Sequence, residues 1–146
     1  EPYLKAQGDD YGARVRARNE TGLALPAIQY IRAQQARTLL NRQVEQALSR
    51  VNALVTPTSP IGAPRIGQAT VRIDGIEETA FSALARLTRA FNITGSPVVS
   101  VPCGFTSAGL PIGLQLVGRP FDEATLLKIA YAYESSTDWH KRRPPV

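Results

Sequence analysis

Few groups in these 146 residues are able to make or break bonds: eight serines, three lysines, a single cysteine, Cys103, and a single histidine, His140. The serines form neither a Gly-x-Ser-x-Gly elbow nor a Ser-x-x-Lys motif, and Ser96, in Gly95-Ser96-Pro97, reads as a turn residue ahead of a strand. Cys103 and His140 would make a nucleophile and base only if the fold joined them. Cys103 ends an apolar run and reads instead as a small buried hydrophobe. The acidic pairs Asp9-Asp10 and Glu77-Glu78 are sequence neighbours, so their side chains diverge and make no acid–base dyad. One Cys and one His exclude a disulfide framework and every Cys-only zinc site, and no metal is expected. The glycines have neither Walker nor dinucleotide spacing. On its own residues the chain carries no complete catalytic apparatus, and no catalytic residue is assigned.

The elements that would position a site are clearer. Ile28, Ile31, Leu39, Leu40, Val44, Leu48 and Val51 recur mostly at three- and four-residue steps and predict a one-sided helix over about 25–50, with Pro26 in its first turn. Residues 52–56 predict a short strand stopped by Pro57 and Pro60, and 57–68 an ordered loop. Thr70-Val71-Arg72-Ile73 reads as an edge strand before a turn at Asp74-Gly75. A second helix is expected over about 77–91, with Glu77 and Glu78 in its first turn matching the helix dipole and Phe81, Leu84, Leu87 and Phe91 on its buried face. Val98–Val101 and Ile112–Val117 predict adjacent antiparallel strands, apolar at nearly every position and so covered on both faces. A last helix starts near Asp122, a good N-cap residue, and runs to about Ser136, with Pro144-Pro145 ending the chain. The sum is an α/β layer structure, a β-sheet flanked by helices, with too few strands to be complete.

Composition narrows the partners. A hydrophobic content of 43% with 20% charged residues excludes a disordered or collagen-like chain. The net charge is +5, and 14 of the 17 basic residues are Arg. Only Arg14–Arg18 and His140–Arg143 cluster, and no RNA-binding aromatic motif or helix-turn-helix accompanies them, so a nucleic-acid partner is not expected for this chain alone. Five Gly and three Pro interrupt the long uncharged stretch from Ala90 to Gly118, which argues against a membrane span, and the first 25 residues contain no apolar targeting core. The chain starts Glu1-Pro2-Tyr3 and contains no Met, which leaves two expectations, a trimmed chain or the back part of something longer.

Three runs are specific: Phe91-Asn92-Ile93-Thr94-Gly95-Ser96-Pro97-Val98-Val99-Ser100-Val101-Pro102-Cys103-Gly104-Phe105, Gly109–Gly118 followed by Phe121-Asp122-Glu123-Ala124, and Ala53–Pro60. Together with Tyr11–Arg18 and Gly22 they resemble the C-terminal part of the amidase signature family, over essentially residues 9–145. The resemblance implies residues 1–146 as a single C-terminal segment of an amidase-type domain, a mixed β-sheet flanked by helices, with the catalytic N-terminal half absent. It implies a cytoplasmic parent enzyme that hydrolyses a small-molecule amide through a Ser–cis-Ser–Lys triad outside this chain, with no cofactor. By position, Arg18 corresponds to an arginine that grips a substrate carboxylate in the branch formed by the A subunits of glutamyl-tRNA(Gln) amidotransferase, a role suited to a bidentate guanidinium. The aspartate that holds the substrate amino group in that branch falls at Ala85, which favours an amidase of another substrate. The alternatives are a member of that amidotransferase branch and a non-enzymatic interaction module. A fragment with two-faced apolar strands is further expected to self-associate, as a homodimer, through its uncovered surface.

Overall fold

The computed structural model describes residues 2–143. The chain divides into two units, residues 1–39 and 40–146. In the first, helices α1 (Pro2–Ala6) and α2 (Ala13–Leu23) precede α3 (Ala27–Leu48), which continues into the second unit. Pro26 lies just outside α3, its carbonyl accepting from the N–H groups of Gln29 and Tyr30. A residue with no N–H loses nothing there. The periodic stripe of α3 is real, but only its end is covered: Leu48 is buried and Leu40 and Val44 are half-buried, whereas Ile28, Ile31 and Leu39 are at least half exposed.

The second unit is built on three antiparallel strands in the order β1–β5–β4: β1 (Leu54–Pro57), β4 (Val98–Phe105) and β5 (Pro111–Val117). Pro57 closes β1 on a sheet edge, where a missing donor is tolerated. The β4–β5 pair is the expected hairpin with a tighter connection than the sequence implied, and it is irregular between Pro102 and Gly104, which leaves Cys103 in a bulge. Helix α5 (Glu123–Ser135) covers one face. Leu126 and Ala130 pack there on Val101 and Leu116, flanked by Val99, Leu114, Ile129 and Tyr133. Asp122 sits at the N-cap of α5 as expected, although its carboxylate makes no capping bond and lies 3.9 Å from Arg119 Nη1. On the other face Gln115 Nε2 donates to the Leu87 carbonyl of helix α4 (Ala80–Thr94). Cover is partial on this side, because Val98 remains 39% exposed.

Residues 70–94 correct the sequence reading. Ile76–Thr79 is a strand, β3, paired antiparallel with β2 (Thr70–Ile73), so Glu77 and Glu78 are not in a helical first turn. The cause is the Asp74-Gly75 turn, where both residues take positive φ (50° and 81°), the pairing that folds a two-residue hairpin back on itself. Helix α4 therefore starts at Ala80, capped by Thr79, whose Oγ1 accepts from Ser82 N at 3.2 Å. It ends at Gly95 in the left-handed conformation. Its buried stripe is Ala80 and Ala83, with Leu87 and Phe91 half-buried; Phe81 and Leu84 are exposed instead of core. The expectation for Pro144-Pro145 lies outside the described residues.

Candidate functional site

Parity along the sheet assembles an unusual polar row. Thr56, Gln115 and Ser100 are register partners across β1, β5 and β4, and so share one face of an otherwise apolar sheet. Gln115 is only 1% exposed, and its Nε2 donates to Thr56 Oγ1 at 3.0 Å. Its Oε1 is buried and has no hydrogen-bond partner among the described residues, an exception to the usual satisfaction of buried polar atoms. One step along, Thr58 N donates to the Gly113 carbonyl, extending the ladder beyond Pro57. The Thr58 and Ser100 hydroxyls then meet at 2.7 Å directly over Gly113. A Cβ at Gly113 would stand 2.7 Å from Thr58 Oγ1 and 2.9 Å from Ser100 Oγ, so the absence of a side chain is what lets the two edge strands touch across β5.

Above this row opens a cavity of about 380 Å³ bounded by the loop Thr58–Ala63, by Leu84 of α4, and by Thr106 and Pro111–Gly113 of the hairpin. That volume suits a small molecule. Among the described residues no charged side chain lines the cavity; its polar groups are hydroxyls and backbone. Arg86, nearby in sequence on α4, is turned to an ion pair with Glu78. An uncharged ligand with an apolar body and one or two hydrogen-bonding groups matches such walls, whereas a zwitterion would lose hydration with no counter-charge in return. The hydroxyls on the described walls are those of Thr58, Ser59 and Thr106.

The residues singled out from the sequence are dispersed. Arg18 lies exposed on α2. Arg16, two residues earlier, is already committed, donating to Glu20 at 2.8 Å and pairing with Asp9, and these hydrogen bonds, led by that to Glu20, raise its pKa above the ordinary guanidinium value. Ala85 is half-buried on α4 beside Leu84. Ser96 behaves as a turn residue, its Oγ 2.9 Å from Thr94 Oγ1. Cys103 is half-buried and His140 exposed, and no hydrogen bond joins them among the described residues. Among the described residues no group of three or more His, Cys, Asp or Glu is placed to hold a metal ion. Nor, among them, is any helix long and apolar enough to cross a membrane. The row of Thr56, Thr58, Ser100 and Gln115 was missed from sequence; the available signal was a Gln and a Gly inside an apolar strand.

Known proteins resemble this chain in sequence and in fold. The chain is 42% identical, over 99% of its length, to the A subunit of glutamyl-tRNA(Gln) amidotransferase from Thermodesulfovibrio yellowstonii. It is 47% identical, over 97% of its length, to the same protein of Chloroflexus aggregans. It spans about 30% of the length of these curated relatives. Its fold superposes on the crystal structure of an amidase with a TM-score of 0.83 at 29% identity, covering 91% of this chain and 30% of that one. The Amidase family profile matches residues 3–127, and with that match the chain belongs to the amidase family.

Proposed function

We propose that this chain is the C-terminal part of an amidase signature enzyme that hydrolyses a carboxylic amide, and that it contributes substrate-binding surface while the catalytic residues lie outside it. The observation that carries the reading is the family match over most of the chain, joined to a cavity whose described walls bear no charge. In the reaction expected of the parent enzyme, a lysine accepts a proton relayed through a bridging serine and a second serine attacks the amide carbon. Backbone N–H groups hold the oxyanion. The C–N bond breaks as the nitrogen takes a proton, and water then releases the acid from the acyl-serine. This route needs neither metal nor organic cofactor. The parent acts as a cytoplasmic enzyme on a small-molecule amide, and Arg18 is the candidate for gripping a substrate carboxylate if one is present.

A second reading, the A subunit of a glutamine-dependent amidotransferase, is favoured by what the sequence relatives are. Ala85, standing where that branch needs a carboxylate for the substrate amino group, favours the first. The test is ammonia release, measured side by side for this chain and for the longer product of its gene, from simple aliphatic and aromatic amides and from glutamine. Release only by the longer product, with neutral amides preferred, is the expected result. Preference for glutamine together with ammonia transfer to charged tRNA selects the second reading, and activity of the 146-residue chain alone overturns both.

A further inference from the structure

A second cavity, of about 630 Å³, lies between the β4–β5 hairpin and the 3-10 turn Trp139–Lys141 that follows α5. Its apolar surface comes from Pro102, Leu110 and Pro111, and from two aromatic rings, Phe105 and Trp139, whose centroids are 6.1 Å apart at 56°. Its rim is cationic, formed by Arg142 and Arg143 with the imidazole of His140 beside them. The Arg142 guanidinium lies over the Phe105 ring, Cζ 4.0 Å from the centroid. Stacking uses the face of a guanidinium and leaves the N–H groups in its plane free to donate. Among the described residues no carboxylate lines the cavity. Among them, too, neither Arg142 nor Arg143 forms an ion pair or donates a hydrogen bond to an acceptor, and the neighbouring Asp138 is held by Lys141.

We propose that this cavity binds a small aromatic anion, a ring bearing one carboxylate or phosphate. The ring would lie against Phe105 and Trp139, and the anionic group would take N–H donors of Arg142 and Arg143. Aromatic walls alone would admit any flat apolar molecule, and a cationic rim alone any anion; the two together select a ligand that has both features. The volume is that of a small-molecule site. Two arginines side by side at one rim, with the remaining arginines of this unit scattered singly along the sequence, fit a compact anion better than an extended phosphate chain.

Trp139 is the sole tryptophan, so its fluorescence reports on this cavity directly. The experiment titrates the chain with benzoate and with phenyl phosphate, and with benzamide, inorganic phosphate and a short oligouridylate as comparators. Saturable binding of benzoate or phenyl phosphate, roughly tenfold or more tighter than benzamide and inorganic phosphate, is expected, and the better of the two identifies the anionic group. Arg142→Gln and Arg143→Gln should each weaken it by roughly tenfold while leaving the circular dichroism spectrum unchanged. Because Arg143 is an exposed side chain, its variant keeps the test valid if Arg142→Gln fails to fold. Equal affinity for benzamide would make this an apolar cleft, equal affinity for inorganic phosphate a plain charge patch, and tighter oligouridylate binding a nucleic-acid surface. Any of these, or indifference to Arg143→Gln, overturns the proposal.

Discussion

Replacing Gly113 with Ala probes whether the hydroxyl contact across the sheet depends on a missing side chain. Gly113 is not among the glycines with positive φ, so Ala is conformationally allowed. With no steric obstacle Ala would stabilise by ~0.4–1 kcal/mol through the unfolded chain. The new methyl, however, would stand 2.7 Å from Thr58 Oγ1, 2.9 Å from Ser100 Oγ and 3.1 Å from Thr58 Cβ. Ser100 can rotate away, at the cost of the 2.7 Å hydrogen bond, ~0.5–1.5 kcal/mol. Thr58 is β-branched and tied to the Gly113 carbonyl through its own N–H, so its Cβ must move with the strand, and local overpacking of this kind costs ~1–3 kcal/mol. The balance is a destabilisation of about 1–3 kcal/mol. Urea unfolding followed by Trp139 fluorescence measures it. Adding Ser100→Ala to Gly113→Ala should cost little more than Gly113→Ala alone, because the hydroxyl contact is already lost, whereas Ser100→Ala by itself should cost ~0.5–1.5 kcal/mol. A neutral or stabilising Gly113→Ala, or strict additivity in the double variant, refutes the reasoning.

Three further outcomes can be checked on the same chain. Arg119 donates to the Leu48 carbonyl at the end of α3 and to the Val51 carbonyl at 2.7 Å; Arg119→Ala should lower unfolding stability by about 1–3 kcal/mol, and Arg119→Lys, lacking the fork, should recover only part of it. Leu126, 1% exposed at the centre of the α5–sheet contact, should cost about 2–5 kcal/mol when cut to Ala; a loss below 1 kcal/mol, roughly, would mean that α5 does not pack as described. The hydrogen bond from Lys141, then its charge, holds the Asp138 carboxyl below its ordinary range. A depressed folded pKa contributes stability above the unfolded value, ~3.9, and loses it as pH falls through the lower folded value. Lys141→Gln should therefore shift the Asp138 carboxyl titration upward by NMR and remove that acid-side contribution; an unmoved titration shows that the pair does not form in solution.

Local pattern carried the helices and the β4–β5 hairpin. Periodicity of three to four residues marks α3 and α5, and a β-branched run beside a Gly-containing turn marks the hairpin, because these signals come from residues within a few positions of one another. Two local signals competed at residues 74–80. Acidic residues before a helical stripe suggest a first turn, but Asp74-Gly75 closes a hairpin whose second strand uses those same residues. The pairing gains ladder hydrogen bonds for Ile76–Thr79 that a frayed helix end would lack, and Thr79 then serves as the cap. The amidase resemblance, too, was carried by contiguous runs, and most of the chain falls within the family match.

The polar row and the aromatic cavity needed the third dimension. Thr58 and Ser100 are 42 positions apart, and Thr56 and Gln115 59 apart. Only the order β1–β5–β4 and its register place these four side chains on one face. Phe105 and Trp139 likewise meet because the end of α5 returns to the hairpin, which turns a basic tail into the rim of an aromatic cavity. Local sequence pattern carried the α/β class and the existence of α3 and α5, whereas the covered face of α4 was decided by packing. Which polar groups converge, and on what cavity, was decided by strand register, since a shift of one residue along β5 would send Gln115 to the opposite face and dismantle the row.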